Sequence, residues 1–430
     1  MSLSALENRV IEAIDKNSEK IISIGKSILK NPELGYKEFE TSSLVKKYFE
    51  ELGLDVTDNI AYTGVKGQLG NKKDFNVALI GELDSVVCFE HPDASFPSGA
   101  AHACGHHAQL ANILGAAIGL SQSGVIDELC GKVTFMAVPA EEYIELEYRQ
   151  KLKDEGKIKF FGGKQQLIYE GEFDDVDAAI MVHAQPETPQ NAVFLDADSL
   201  GFVMKNVTFK GKSVHAAKPF DGVNALNAAA LAILGIHTCR ERFREEDKVR
   251  VHFIITKGGD IVNAVPAEVT LECQVRASNV EGLKKASADV DAAIKGAAMM
   301  VGADVDIESI VGYQPFNLDT NLGKAFEDVA LEFMPGENIR HDVSMTGSSD
   351  IGDVSLLLPT IQPMIGGFTG QLHAKEFGSA DDYTAFVLPA KLMALTAVRL
   401  LENGAMLGKK IKTDFKPKMT KEDYLKLLEG

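Results

Sequence analysis

The sequence lacks the long apolar runs that are typical of membrane and secreted proteins. No uninterrupted apolar stretch of about 18 residues occurs, so we expect no membrane span. The first residues (Ser4, Glu7, Asn8 and Arg9) contain no apolar run that could act as a signal peptide. The five cysteines are an odd number and are scattered, unlike those of a secreted disulfide scaffold. We therefore expect a cytoplasmic protein.

The sequence has fewer basic than acidic side chains. The chain carries 62 acidic and 44 basic side chains, which gives a net charge of −18. Nucleic acid and anionic lipid would be repelled by such a chain, so we expect neither as a partner. A small substrate is compatible with this charge, because it feels only the local field of its pocket.

The length of 430 residues predicts two domains rather than one core. Short apolar runs at residues 77–80, 133–138 and 178–182 predict buried strands. An Ala/Leu-rich helix at about residues 108–120 lies between the first two. Strands that alternate with helices predict a mostly parallel sheet with helices on both faces.

The pattern changes at about residue 200 to one that predicts helices packed on one face of an antiparallel sheet. The predicted elements are strands at residues 202–209, 249–255 and 268–275 and helices at residues 225–236 and 280–299. This pattern ends near residue 311, and elements of the first type then resume. We therefore predict one domain formed by residues 1–198 and 312–430, into which a second domain, residues 199–311, is inserted.

Histidines and a cysteine crowd into residues 102–107. Cys104 and His106 have a spacing that can place a thiolate and an imidazole on one metal ion, since Gly105 permits a turn between them. The helix that follows would favour the thiolate form of the cysteine. A buried cysteine flanked by surface histidines is equally compatible with this segment alone.

Further ligand-type residues follow predicted strands. Glu141 and Glu142 come directly after the strand at residues 133–138, and His183 ends the next strand. His373 follows a glycine-rich loop. The carboxyl ends of parallel strands meet at one edge of the sheet, where active sites of open α/β sheets lie. Each residue alone has a structural explanation, but together they favour a metal site.

These segments resemble the M20 metallopeptidase and aminoacylase family. The most similar branch is its amidohydrolase branch, which includes hippurate, auxin-conjugate and aminobenzoyl-glutamate hydrolases. The resemblance runs from NPELG at residues 31–35 to LH at residues 372–373. AHACGH at residues 101–106 is its most specific element. GSSDIGDVS at residues 347–355 is most similar to the aminobenzoyl-glutamate hydrolase and dipeptidase subgroup.

The resemblance implies a three-layer α/β/α catalytic domain with an inserted α+β ferredoxin-like domain that serves as lid and dimerisation domain, and thus a homodimer. It also implies a centre of two divalent ions, in which Cys104 takes the place of a bridging aspartate. Zn²⁺, Mn²⁺, Co²⁺ and Ni²⁺ all suit such a ligand set. The implied ligands are Cys104, His106, Glu142, His183 and His373.

The resemblance assigns roles to other residues too. Glu141 is implied as the general base that activates the metal-bound water. His215, in the inserted domain, is implied to stabilise the oxyanion, in many relatives within a partner subunit's site. Asn263 and Arg276 are implied to hold the carboxylate end of the substrate, and a guanidinium can bind a carboxylate through two hydrogen bonds. Asp84 is implied as a carboxylate that stands behind the metal ligands.

The sequence departs from the family in three places. His107 stands where the family has aspartate; it could be an extra ligand, a substrate contact or a hydrogen-bond donor behind the ligands, and we favour the last. Glu82 is bulkier than the usual residue. About a dozen extra residues, roughly 146–159, predict a charged helix that either reshapes the site entrance or is a surface elaboration.

We expect a metal-dependent amidohydrolase that cleaves the amide bond of an N-acyl or aminobenzoyl amino acid. A dipeptidase or carboxypeptidase of the same fold is the alternative within the family. A catalytically silent metal-binding homologue is a second alternative. A third makes Cys104 a redox or nucleophilic thiol with His106 as its partner.

Overall fold

The structure is a computed structural model that describes residues 3–341 and 347–429. Its α-helices are α1 (Ala5–Lys16), α2 (Ser18–Leu29), α3 (Phe39–Glu51), α4 (His106–Gln122), α5 (Leu146–Asp154), α6 (Gly163–Glu170), α7 (Ala225–Thr238), α8 (Val280–Val301), α9 (Thr320–Ala330), α10 (Ile351–Ser355), α11 (Leu388–Leu401), α12 (Met406–Asp414) and α13 (Lys421–Glu429).

Its β-strands are β1 (Asp55–Ile60), β2 (Gly64–Leu69), β3 (Asn76–Glu82), β4 (Val86–Val87), β5 (Ala100–Ala101), β6 (Lys132–Val138), β7 (Ala178–Met181), β8 (His183–Ala184), β9 (Val193–Phe194), β10 (Gly201–Lys210), β11 (Arg250–Lys257), β12 (Glu268–Ala277), β13 (Asp304–Val311), β14 (Ile339–Arg340), β15 (Thr360–Ile361), β16 (Met364–Ile365), β17 (Phe368–Thr369) and β18 (Gly378–Ser379).

The chain forms two compact units, each with its own sheet and apolar core. The first unit consists of Met1–Ala197, Asn317–Ser344 and Asp353–Met419. The second unit consists of Asp198–Phe316, Met345–Gly352 and Thr420–Gly430.

The main sheet of the first unit has the strand order β1-β2-β6-β3-β7-β15. The neighbours from β6 to β15 run parallel, and β1 and β2 form an antiparallel edge. The three apolar runs predicted as strands are β3, β6 and β7, so the mostly parallel sheet is confirmed. Every residue of β3 is buried, as expected for a strand inside a parallel sheet.

Helix α4 is the central helix of the first unit and confirms the helix predicted at residues 108–120. All of its residues from His106 to Leu120 are buried. Its glycines allow neighbouring helices to approach closely: a Cβ on Gly115 would lie 2.7 Å from Ala390 Cβ, and one on Gly119 would lie 2.5 Å from Ile14 Cγ1. The helix packs against β3 and against α1, α2 and α11, which fixes where its first turn points.

Among the described residues, one helical segment, Tyr383–Leu401, is long and apolar enough to cross a membrane, with a mean hydropathy of 1.5. The segment is not an uninterrupted apolar run, because Lys391 and Arg399 interrupt it, and the expectation drawn from such runs does not cover it. It is 94% buried inside the protein and belongs to the core of the first unit. Length and burial together are those of a core helix.

The second unit has the ferredoxin-like order of elements β10-α7-β11-β12-α8-β13. Its antiparallel sheet has the strand order β11-β12-β10-β13, and α7 and α8 pack on each other and on the sheet. Buried residues alternate with exposed or partly exposed ones along β12 and, from Val203 onward, along β10, so one face of the sheet carries the core. The α+β pattern predicted from residue 200 onward is confirmed.

Gly163, the first residue of α6, packs against the loop that follows β6 and contains Glu141 and Glu142. Substitution of this glycine measures how closely that loop is packed. A Cβ there would lie 1.7 Å from the Pro139 carbonyl oxygen. We expect Gly163→Ala to lower the free energy of unfolding by about 1–3 kcal/mol, because backbone must move to admit a methyl group. Gly296→Ala is the control: Gly296 lies within α8 with nothing within 4 Å of the added Cβ. It should stabilise by about 0.5–1 kcal/mol. Equal melting temperatures in calorimetry for the two variants would contradict this prediction.

Candidate metal centre

Three elements of the first unit carry the predicted ligands. Gly105 caps the start of α4 with a φ of 90°, a conformation that favours glycine, and the cap places Cys104 before the helix and His106 in its first turn. A Cβ on Gly105 would also lie 2.7 Å from Ala184 Cβ. Glu141 and Glu142 follow the carboxyl end of β6, and His183 follows β7. This is the sheet edge at which the sequence predicted a site.

Cys104, His106 and His183 form one group whose ligand atoms all lie within 4.8 Å of one another. Cys104 Sγ lies 3.6 Å from His183 Nε2. His183 Nδ1 is 2.9 Å from the Ala184 carbonyl oxygen, and His106 Nδ1 is 2.8 Å from that of Asp84. In both rings Nδ1 is within hydrogen-bond distance of a backbone carbonyl oxygen. Nε2 is therefore the nitrogen that is available to a metal ion.

Cys104, Glu142 and His373 form a second group that satisfies the same distance. His373 Nε2 lies 3.2 Å from Glu142 Oε1. The His373 N–H donates to the Ala103 carbonyl at 2.7 Å, which ties the glycine-rich loop to the cysteine segment. Cys104 belongs to both groups, as expected for a thiolate that bridges two ions.

Two buried polar atoms in these groups lack hydrogen bonds, as expected of atoms that bind metal ions. His106 Nε2 and Glu142 Oε1 are fully buried, and neither makes a hydrogen bond of suitable geometry. The charged groups nearest to them, Glu82 Oε2 and His373 Nε2, lie at 3.0 Å and 3.2 Å. A buried polar atom without a hydrogen bond is costly, and a cation would satisfy both. The sulfur, nitrogen and oxygen donors are those that bind zinc and neighbouring transition metals.

The electrostatics of the site favour a thiolate at Cys104. Burial and Glu142 act to raise the pKa of the Cys104 thiol, but His106 and His183 outweigh them and lower it to about 6. The proximity of Cys104 and Glu142 raises the pKa of His373 to about 11. The imidazoles and acidic groups therefore stabilise one another's charges. Cations bound by these ligands would supply the same positive charge.

Glu82, left unassigned by the sequence, belongs to a third group with His106 and Glu141. Its carboxylate accepts hydrogen bonds from Lys164 Nζ at 2.6 Å and from Gln109 Nε2 at 2.7 Å. Burial opposes ionisation, but Lys164, His106 and His183 outweigh it and lower the pKa of Glu82 to about 2. No local pattern marks the pair of Glu82 and Lys164, because the two residues are 82 positions apart in the chain.

The structure places the predicted general base and its supporting carboxylate beside these groups. Glu141 is buried, and its Oε2 lies 3.9 Å from His106 Nε2. Asp84 Oδ1 is 3.2 Å from His106 Nδ1, and Asp84 Oδ2 accepts the Glu142 N–H at 2.8 Å. Asp84 thus lies behind His106 and fixes the backbone of Glu142.

His107 lies in a different environment. Its ring packs 5.4 Å from the ring of His102 and 5.7 Å from that of Phe386. Burial, with a smaller contribution from His106, lowers the pKa of His107 to about 3, so the ring is neutral. Among the described residues, the three groups that could hold a metal do not include it. Its predicted role as a donor behind the ligands stays a prediction.

The remaining predicted residues lie in the second unit. His215 and Asn263 are brought together on adjacent loops: the Ala216 N–H donates to the Asn263 carbonyl at 2.9 Å, and Asn263 is exposed. Arg276, in β12, is half-buried; its Nη1 lies 3.2 Å from Ser348 Oγ and its guanidinium packs over the Phe202 ring at 5.7 Å. Burial lowers the pKa of Arg276.

Comparisons with known proteins agree with this architecture. Residues 199–299 match the family model described as a peptidase dimerisation domain. The chain is 28% identical to the Xaa-Arg dipeptidase of Mus musculus, over 98% of this chain and 95% of that protein. It is 26% identical to IAA-amino acid hydrolase ILR1-like 4 of Arabidopsis thaliana, over 83% of this chain and 80% of that protein.

A solved structure shows the same fold. It is that of a dinuclear metal-binding peptidase of the M20 family from Bacillus subtilis, with a TM-score of 0.73 and 22% identity. The match covers 90% of this chain and 99% of that one. The predicted mixed α/β fold with a peptidase dimerisation domain is therefore confirmed.

The Glu82–Lys164 pair can be tested in the metal-free protein. We expect Lys164→Met to lower the free energy of unfolding by about 3–5 kcal/mol, because a buried carboxylate would lose its cation. The double variant with Glu82→Gln should recover part of this loss. Lys46→Met is the control within the same unit, since Lys46 pairs with Asp58 at the surface, and it should change little. Urea denaturation that shows equal stability for the Lys164 and Lys46 variants would rule out a buried, costly pair.

Proposed function

We propose that this chain is a metal-dependent hydrolase of the M20 family that cleaves the amide bond between an acyl or aminoacyl group and a free amino acid. One observation carries the proposal: Cys104 is shared by two groups of metal-ligand residues, with the carboxylate of Glu141 beside them. The names of the relatives, an IAA-amino acid hydrolase and an Xaa-Arg dipeptidase, describe hydrolysis of this kind of bond.

An N-acyl or aminobenzoyl amino acid is the first candidate substrate, and a dipeptide is the second. The second candidate is favoured by the likeness to the Xaa-Arg dipeptidase, which extends over nearly the whole chain. Both substrates present an amide carbonyl to the reacting groups and a free carboxylate on the amine side, so the same residues would serve either.

We propose two divalent ions as cofactors. His106, His183, Glu142 and His373 would hold them together with Cys104, which belongs to both groups. When bound, such ions polarise a carbonyl and lower the pKa of a coordinated water.

Glu141 is proposed as the general base. It immediately precedes Glu142 in the segment that follows β6, so its backbone is fixed by the same segment that fixes Glu142. Its carboxylate would take a proton from the attacking water and then deliver that proton to the leaving amine. This transfer turns a poor leaving group into a neutral amine, and it requires that Glu141 be ionised when substrate binds.

His215, Asn263 and Arg276 keep the roles implied by the family. We propose that His215 stabilises the oxyanion and that Asn263 and Arg276 hold the carboxylate of the amino acid. The partly desolvated guanidinium of Arg276 supports this assignment, because a carboxylate partner would compensate its burial. The dimerisation domain at residues 199–299 supports a homodimer.

The roles of the two adjacent glutamates can be separated. Glu141→Gln should retain its metal content but lose about 10²- to 10⁴-fold in turnover, because a general base is removed. Glu142→Gln is the matched comparison and should lose metal. We would measure metal content by elemental analysis and hydrolysis with N-acetyl, N-benzoyl and aminobenzoyl amino acids and dipeptides. Near-wild-type turnover of Glu141→Gln would refute the base. A wild-type protein that binds metal but hydrolyses no member of the panel would support a silent homologue.

Arg276 can be tested with paired substrates. For a substrate with a free carboxylate, Arg276→Met should lower kcat/KM by about 10- to 100-fold, because a charged hydrogen bond is lost. For the same substrate with its carboxylate converted to an amide, the variant and the wild type should be nearly equal. Arg240→Met, at an exposed position of the same unit, is the control. An equal loss of kcat/KM with both substrates would show that Arg276 does not bind the substrate carboxylate.

A further inference from the structure

Arg149 lies in the extra segment at residues 146–159 that distinguishes this chain from the family pattern. It belongs to α5, in which most charged side chains are exposed, yet its own side chain is fully buried. Leu152, one turn later, is buried as well and joins a small core with Tyr36, Ala140 and Ile158. The helix therefore presents one face to the protein interior, and the arginine is on that face.

The Arg149 guanidinium binds the backbone on both sides of Glu141. Nη1 donates to the Ala140 carbonyl at 3.3 Å and to the Phe161 carbonyl at 2.7 Å, and Nη2 donates to the Glu142 carbonyl. One side chain thus joins the segment after β6 to the segment before α6. Carbonyl groups outside helices and strands need such partners when they are buried.

The N–H groups of the same segment are held by carboxylates. Glu38 accepts the Ala140 N–H at 2.8 Å, and Asp84 accepts the Glu142 N–H at 2.8 Å. Ala140 has a φ of 54°, which is uncommon for a residue with a side chain. Such a conformation persists when its surroundings determine it. Arg149 supplies the carbonyl half of these restraints.

The space around the guanidinium shows a close fit. A Cβ on Gly35 would lie 2.4 Å from Arg149 Nη2, and the Tyr36 ring centroid is 5.4 Å from the guanidinium carbon. A lysine would keep a positive charge here, but it could not reach several carbonyls with one planar group. These contacts therefore suit an arginine better than a lysine.

We propose that Arg149 is a positioning residue, through which the extra segment fixes the directions of the Glu141 and Glu142 side chains. The proposal rests on the function proposed above for the two glutamates. It assigns the segment a role that neither of the two sequence interpretations, a reshaped entrance or a surface elaboration, included. Glu142 belongs to only one of the two ligand groups that share Cys104, so loss of Arg149 should affect the two groups unequally.

The test compares Arg149→Met and Arg149→Lys with Leu152→Ala, which loosens the packing of the same helix but leaves the guanidinium contacts. Stepwise Zn²⁺ affinities would be measured on the metal-free proteins by competition with a chromophoric chelator. For Arg149→Met we expect one ion to bind at least about tenfold more weakly and the other to bind as in the wild type. We expect kcat to fall about 10²-fold, because misplacement of a reacting group by about 1 Å has such an effect. Arg149→Lys should lie between Arg149→Met and the wild type.

Leu152→Ala should lower the melting temperature but leave both affinities unchanged. The inference is overturned if Arg149→Met binds both ions as the wild type does, or if Leu152→Ala weakens the same ion equally. If Arg149→Met does not fold, the same comparison is made with Arg149→Lys. A wild type that binds Zn²⁺ but hydrolyses no substrate would refute the proposed function and leave the affinity test of Arg149 valid. A wild type that binds no Zn²⁺ would overturn both.

Discussion

Ionised groups are buried together at the carboxyl edge of the parallel sheet, and each needs a partner of opposite charge or a donor within reach. Glu82 has Lys164 and Gln109, and Glu142 has His373. Removal of ions from water is costly unless such partners are provided. The surrounding architecture supplies them: α4 brings His106, β8 brings His183, and the loop between β17 and β18 brings His373. Helix α6 brings the lysine, and the end of β3 and the loop after β6 bring the carboxylates. The same arrangement that satisfies these charges creates a set of donors for cations.

Much of the fold and of the ligand set could be predicted, because both leave local traces in the sequence. Apolar runs of strand length identify β3, β6 and β7. Residues that follow parallel strands are expected at the carboxyl edge of the sheet, where active sites of open α/β sheets lie. Cys104 and His106 are close in sequence, and only Val182 separates His183 from the end of β7. These residues could be selected without knowing which distant segments they contact.

The supporting residues could not be predicted, because their signals are not local. Lys164 and Glu82 meet only after the sheet has brought their segments together, and neither lies in a recognisable pattern. Arg149 lies in a helix whose composition is that of a solvated surface helix. Composition does not show that Arg149 faces the interior, where its guanidinium contacts the segment after β6. His107 shows the opposite case. Its departure from the family pattern suggests a role at the site, yet its ring packs against Phe386, and none of the three groups of possible metal ligands among the described residues includes it.

The order of segments in the first unit has a consequence for how the protein is made. Strand β15 completes the sheet beside β7, and His373 completes a ligand group begun at Cys104, but both lie beyond the second unit's sheet in the chain. During synthesis, the segment Asp198–Phe316 of the second unit, about 120 residues, emerges before these parts do. Domains generally fold as they emerge. The second unit has all the strands of its sheet by Val311, so it can form first. Until the rest of the chain has emerged, the first unit has an open sheet edge beside β7 and lacks His373.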